Sequence, residues 1–407
     1  MVPMPRPDRH VPFLTRVQIR DYKSIAKADV RLGAFTILVG RNGSGKSNFL
    51  DALRFVADSL RTSLAQAVQA RGVVYEIKRR GAESPSFSIG LRLALPDLKT
   101  ATYSLSIRAL KGGAFSVGAE TLAVRHGSGP VLGSYSVADG EILDCSIDNP
   151  PPVPSDRLYL VNVSGFPEFR AVHDALAAMS FYNFNPETLK VPQKPDAGDL
   201  LHRDGSNLAS VVARLKAERP EELERIIQYL AAIVPGLSGI DRLPLGPLET
   251  LQFEQQIEGL TKPFGFFAWN MSDGTLRALS ALAAAWQPGM SLVGIEEPES
   301  ALHPAAAGAL MDALREAASQ TQILITSHSP DLLDHVDLET DRLLAVSFEN
   351  GVTKIAPIDK ASLSVIQDHL YTPGELLRLD QLEPDREDVS RQEEQLSRPL
   401  EDGDTQA

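Results

Sequence analysis

An α/β fold with an antiparallel β subdomain and a helical insert is what the sequence predicts, and three observations predict it. The apolar run Ile37-Leu38-Val39 reads as a buried strand that breaks into a glycine-punctuated loop and then into SNFLDALRFVADSL, which has helical apolar spacing. Short β-type runs follow, PSFSIGLRLAL, TYSLSIRAL, AFSVGAETLAV and EILDCSI, separated by Gly, Pro and Asp turns. Between residues 165 and 235 the pattern turns helical: AVHDALAAMS, SNLASVVARL and EELERIIQYLAAIV carry apolar residues three and four apart.

In chain order, FLTRVQIRDYKSI and AKADVRLGAFTILVG read as two strands feeding the loop. That loop, Gly40-Arg41-Asn42-Gly43-Ser44-Gly45-Lys46-Ser47, satisfies the phosphate-binding pattern G-x-x-x-x-G-K-[ST]. Glycine lets the backbone turn tightly and bring its N–H groups close to phosphate oxygens. The lysine of such a loop, here Lys46, reaches the β and γ phosphates of ATP, and its hydroxyl residue, here Ser47, coordinates Mg²⁺. Asn48, the next residue, joins this expected nucleotide-binding set. The loop ends at a helix N-terminus, where the dipole favours an anion. One helix is predicted from residue 48 to about 69, ending near Arg71-Gly72.

Residues 147–156, IDNPPPVPSD, form a stiff proline-rich connection, and Pro220 before Glu221-Glu222 is a helix start. Strand-like pieces return at GIDRLPL, LETLQFEQQ and PFGFFAWN. The helix MSDGTLRALSALAAAW, the acidic run SLVGIEEPESALHP, a helix over 304–319, QILITSHSPDLLD and two short strands complete the order. This divides the chain into 1–146 with the phosphate loop and β subdomain, 147–265 as a helical and β insert, 266–380 as the second half of the nucleotide site, and 381–407 as an acidic tail. The stretch from Gln381 onward is poor in apolar residues and predicts disorder.

Composition bounds the class. The 407 residues are 43% apolar and 23% charged, as in an ordinary soluble globular protein. No apolar run approaches the roughly 20 residues of a membrane span, and MVPMPRPDRHVP has no signal-peptide core, so a cytoplasmic protein with no membrane partner is expected. Cys145 is the only cysteine, which excludes an intramolecular disulfide. The net charge of −13 argues against a broadly basic nucleic-acid-coating surface but leaves room for a local patch. Lys78-Arg79-Arg80 is the best local candidate, although a solvated turn accounts for it more simply.

The strand SLVGIEEPE ends in Glu296 and Glu297, the kind of acidic pair a P-loop ATPase uses to hold Mg²⁺ and orient water. QILITSHSPD ends in Ser327-His328. Each alone is ordinary: a charged turn, a loop histidine. The order phosphate loop, MSDGTLR, IEEPESALHP, ITSHSP resembles the ATP-binding-cassette head of the RecF and SMC type. Within that class it is similar to the compact predicted AAA-family ATPases related to OLD-family nucleases. The fold this resemblance implies is a P-loop NTPase of the cassette-head type. It further implies that Glu296 holds Mg²⁺, Glu297 is the catalytic base, Ser300-Ala301-Leu302 form the D-loop and His328 is the switch histidine. Ser272-Asp273-Gly274-Thr275 falls where the family signature sits, and Ser272 and Gly274 would contact the γ-phosphate bound to a second subunit. It also places Tyr22-Lys23-Ser24 near the nucleotide base. The sequence departs from the wider pattern in having Glu296 where many relatives have Asp and SDGT in place of SGGQ, and no glutamine is assigned to the Q-loop.

The resemblance implies an ATP hydrolase with ATP and Mg²⁺ as cofactors. Its two heads would close head-to-tail into a homodimer that drives a partner effector, such as a nuclease, in DNA repair or antiviral defence, with nucleic acid as a candidate ligand. Against this stands an ATP-gated scaffold or regulator of a partner nuclease or toxin. A transporter ATPase fits poorly, because the interval from Gly40 to Ser272 is much longer than in those domains. A small-molecule kinase leaves the signature and His328 unexplained. Fewer than eighty residues follow His328 and show no EG…DxD pattern, so no nuclease activity is expected of the isolated chain.

Overall fold

The computed structural model describes residues 13–127, 129–154, 156–259 and 262–395. Its backbone is organised by one thirteen-stranded sheet and a separate three-stranded sheet. Five neighbouring strands of the large sheet run parallel: Arg342–Glu349, Phe35–Val39, Gln322–Ser327, Leu292–Glu296 and Met179–Tyr182, in that spatial order. All five residues of Phe35–Val39 are buried. Leu38 faces one hydrophobic core while Ile37 and Val39 face the other, as the two-residue period of a strand requires. A strand covered on both faces needs a continuous apolar run, which is what the sequence supplies there.

The other end of the sheet is the antiparallel subdomain. Leu14–Tyr22, Ser86–Leu95, Lys99–Ala109, Phe115–His126, Val131–Ala138 and Glu141–Cys145 pair in succession. Their alternating burial matches the alternation in sequence. The predicted strand pair before the loop is three strands, because AKADVRLGAFTILVG turns at Gly33 between Ile25–Arg31 and Phe35–Val39.

Three expectations are corrected. The single helix over 48–69 is two, Lys46–Arg61 and Leu64–Gln69, since Ser63 is extended and its hydroxyl accepts from Gln66 N to start the second. The segment 147–265 is not only an insert: Met179–Tyr182 is the outermost parallel strand, paired with Leu292–Glu296. Its four buried residues are too few to reveal a period. The tail expected to be disordered from 381 contains a helix, Arg386–Gln395, against the strands Ile25–Arg31 and Val352–Pro357. Its anchor is polar: Gln392 donates to Ile355 O at 3.0 Å and accepts from Asp29 N at 3.0 Å. Residues 396–407 of that expectation lie outside the described residues.

Candidate nucleotide site

The carboxyl ends of the parallel strands share one rim, where α/β sheets bind ligands. Register brings the ends together: Val39 pairs with Ser327, and Glu296 with the neighbouring Thr326. From the phosphate-loop strand, Ser327-His328 is one strand away and Glu296-Glu297 two.

The loop is shaped by what its glycines permit. Gly43 and Gly45 have φ of 78° and 105°, the left-handed region that side chains avoid. A Cβ at Gly45 would stand 2.0 Å from Thr353 Oγ1, and one at Gly40 2.1 Å from Val346 O. Thr353 supports the loop directly, donating to Ser44 O at 2.8 Å while sharing a 2.7 Å bond with Ser24 Oγ. Asn48 Nδ2 in turn donates to Ser24 Oγ at 2.6 Å. No side chain caps the helix that starts at Lys46, and the buried Ser44 hydroxyl has no partner. Both leave donors for an anion.

Lys46 is buried and donates to Gly40 O and Arg41 O, at 2.7 and 2.9 Å. Burial pushes its ammonium below the ordinary lysine range, against the opposing pull of Glu297 and Glu299. Ser47 is exposed in the first turn. Arg41 points outward to Asp380, 3.0 Å away, and Asn42 is exposed. On the side facing the strand Arg342–Glu349 the loop borders a cleft of about 380 Å³ lined by Phe348, Glu349, Asp380 and Glu383.

Glu297 has φ of 46°, a left-handed conformation that costs about 1–2 kcal/mol outside glycine. Its N–H donates to Thr326 O at 3.0 Å, which ties this turn to the histidine strand. His328 Nδ1 lies 3.0 Å from Glu297 Oε1, without hydrogen-bond alignment. Ser300 Oγ points to Glu297 Oε2 at 3.4 Å. Glu299, which sequence reasoning missed, is buried; burial pushes its carboxyl up, and Ser327 donates to it. Ser329 N donates to Ser327 Oγ at 3.0 Å, so the peptide carrying His328 is held from the acidic turn. Arg203, in the turn before the helix Leu208–Glu218, lies 3.4 Å from Glu296 Oε1.

Ser272 caps the helix Asp273–Ala285, its hydroxyl accepting from Thr275 N at 3.2 Å. Asp273 pairs with Lys190. Gly274 is buried against the turn after the acidic pair, where its Cβ would meet Ala301 O at 2.3 Å. The loop, Glu296, Glu297 and His328 therefore share the rim, while Ser272 and Gly274 reach it through Ala301. Tyr22 does not face a ligand: its ring is buried against Phe55 and Phe87, and its hydroxyl meets Asp51 at 2.8 Å. In the basic cluster, Arg79 pairs with Asp21 at 2.8 Å and Lys78 donates to Ala82 O.

The oxygens of Ser47 and Glu296 suit Mg²⁺, a hard cation that takes its remaining ligands from water and substrate phosphate. Among the described residues no three His, Cys, Asp or Glu side chains form a metal cage, so such an ion would rely on that substrate.

A glycine-cradled phosphate loop joined through one rim to an acidic strand end and a histidine marks a P-loop NTPase of the ATP-binding-cassette head type, RecF/SMC-like in its order of parts. Residues 35–99 and 168–334, more than half of the chain, match the family described as AAA domain, putative AbiEii toxin, Type IV TA system, and the chain belongs to that family. The chain is similar to the DNA replication and repair protein RecF of Allorhizobium ampelinum, 36% identical over 78 residues, a stretch covering 19% of each. It also superposes on an SMC head crystallised with the C-winged helix domain of ScpA, with a TM-score of 0.51, 16% identity, and coverage of 87% of this chain and 99% of that one. At that identity the likeness shows the fold. Among the described residues no helix is long and apolar enough to cross a membrane.

Proposed function

We propose that this RecF/SMC-type protein is a Mg²⁺-dependent ATP hydrolase whose ATP-linked head-to-tail dimerisation controls an effector acting in defence or repair. The observation that carries this reading is the convergence of Lys46, Glu297 and His328 on one rim, with His328 Nδ1 3.0 Å from the Glu297 carboxylate. Ser47 and Glu296 would hold Mg²⁺, which would supply charge neutralisation at the phosphates. Lys46 exchanges its two loop carbonyls for phosphate oxygens, a stronger charge-assisted contact. Gly43, Ser44 and Gly45 present backbone N–H groups to the same phosphates, with Gly40, Arg41 and Asn42 completing the loop and Asn48 steadying it through Ser24. Glu297 accepts the proton of the attacking water, and His328 orients that carboxylate. Ser272 and Gly274 of a second copy close over the γ-phosphate.

Purified chain should release phosphate from ATP with Mg²⁺, and Lys46→Ala should abolish it. Turnover at the wild-type rate in that variant would remove this rim as the hydrolytic centre. A second reading, an ATP-gated regulator with incidental turnover, draws on the family's description, putative AbiEii toxin, Type IV TA system. In either reading nuclease activity belongs to a partner.

A further inference from the structure

Arg203 contacts the acidic pair through Glu296, and nothing in the reading above uses it. Its Nη2 lies 3.4 Å from Glu296 Oε1, with the arginine half exposed and the glutamate mostly covered. An exposed ion pair is ordinarily worth ~1 kcal/mol or less, so the pair itself says little. The backbone beneath it says more. Asn183 N, at the end of the outermost parallel strand, donates to Arg203 O at 3.0 Å. His202 N donates to Asn207 Oδ1 at 2.8 Å, and Gln193 Nε2 to Gly205 O at 3.0 Å. Leu201 N donates to Gln287 Oε1 at 3.1 Å. Four of the five residues 201–205 are thus anchored through their backbone groups around this one cation at the rim. The neighbouring Arg54 repels Arg203, although Arg54 is itself paired with Asp51, so Glu296 is the anion that retains it.

Glu296 is also the carboxylate proposed to hold Mg²⁺. A divalent ion on Glu296 would compete with the guanidinium now 3.4 Å away and leave it free to meet another anion. Arg203 is bonded just past the end of the strand Met179–Tyr182, three strands from the phosphate-loop strand and next to the strand that ends in Glu296. A planar fork of donors matches a phosphate's oxygens in a way a lysine does not.

We propose that Arg203 is a γ-phosphate-reading residue: it neutralises Glu296 in the nucleotide-free chain and transfers to the terminal phosphate of ATP when Mg²⁺ takes Glu296. The proposal rests on the nucleotide-site reading and adds a discriminator between ATP and ADP that belongs to the insert. Its test is equilibrium binding of N-methylanthraniloyl ATP and ADP to the full chain with Mg²⁺, read by fluorescence, for wild type, Arg203→Ala, Arg203→Lys and Lys46→Ala. Arg203→Ala should weaken the ATP analogue about tenfold and the ADP analogue less than about twofold, because only the former carries the group it reads. Arg203→Lys, keeping the charge but not the fork, should fall between. An unchanged ratio of ATP to ADP affinity in Arg203→Ala, whether both are retained or both lost equally, overturns the assignment. If Lys46→Ala loses binding while that ratio stays unchanged, the nucleotide site stands and the arginine role falls. A wild-type chain that binds neither analogue overturns both.

Discussion

Asp51 sits on the buried side of the phosphate-loop helix, within ion-pair distance of Lys23 at 2.6 Å, Arg54 at 2.6 Å and Arg71 at 3.0 Å. Burial raises its pKa, but the three cations outweigh that and hold the carboxyl well below the usual aspartate range. A folded-state pKa below the unfolded value means a contribution that is complete above about pH 4 and disappears as pH falls toward the folded pKa. Asp51→Asn should therefore cost about 3–5 kcal/mol at pH 7, because it strands buried cations. Urea unfolding at a series of pH values should show the gap between wild type and variant closing below pH 4; a gap independent of pH would contradict the assignment. Residues like Lys46 and Glu297 were legible in the sequence because their chemistry demands a fixed type at a fixed spacing. Thr353 and Arg203 were not. Thr353 supports Ser44 from 309 positions away, and a threonine in a short strand carries no mark of that contact. Glu299 was visible as the third acid of EEPE, but its burial beneath Ser327 is a property of the folded turn.

At the scale of elements, one buried carboxylate ties the start of the helix Tyr159–Val163 to the β subdomain, beside the packing of Tyr159 and Phe169 on Tyr135. Glu120, fully buried in the strand Phe115–His126, accepts from Tyr103 and Tyr135 hydroxyls at 3.1 and 2.7 Å, and from the N–H groups of Tyr159 and Leu160 at the start of the next helix. Burial raises its pKa, and these donors offset part of that cost. Glu120→Gln replaces an acceptor with a group that also donates, into a cage of donors. It should lower stability by about 1–3 kcal/mol in chemical denaturation, while Glu141→Gln on the exposed edge strand should not. Equal stability of the two variants would contradict the staple. Long periodic elements such as Pro220–Ile233 and Asp273–Ala285 were readable from apolar spacing. The strand Met179–Tyr182 was not, since its four buried residues show no alternation. The helix Arg386–Gln395 escaped composition because glutamine and ion pairs hold it, with no apolar stripe to announce it.

At the scale of the whole molecule, the proposed dimer would divide each nucleotide site between the phosphate loop on the rim of one chain and Ser272 of the other, an exposed helix N-terminus that Gly274 and Ala301 join to its own rim. If ATP closes two copies head-to-tail, each site draws its loop from one chain and its signature from the other, and dimerisation is linked to nucleotide through the difference in affinity between open and closed states. The most direct measurement is phosphate release by mixed variants. Lys46→Ala spoils the loop half and Ser272→Arg the signature half, so each alone should be inactive. Mixed in equal amounts, half of the dimers are heterodimers in which one of two sites is intact, and activity should return to about a quarter of wild type. A mixture that stays inactive, or a Ser272→Arg protein that hydrolyses ATP normally by itself, would contradict the two-chain site.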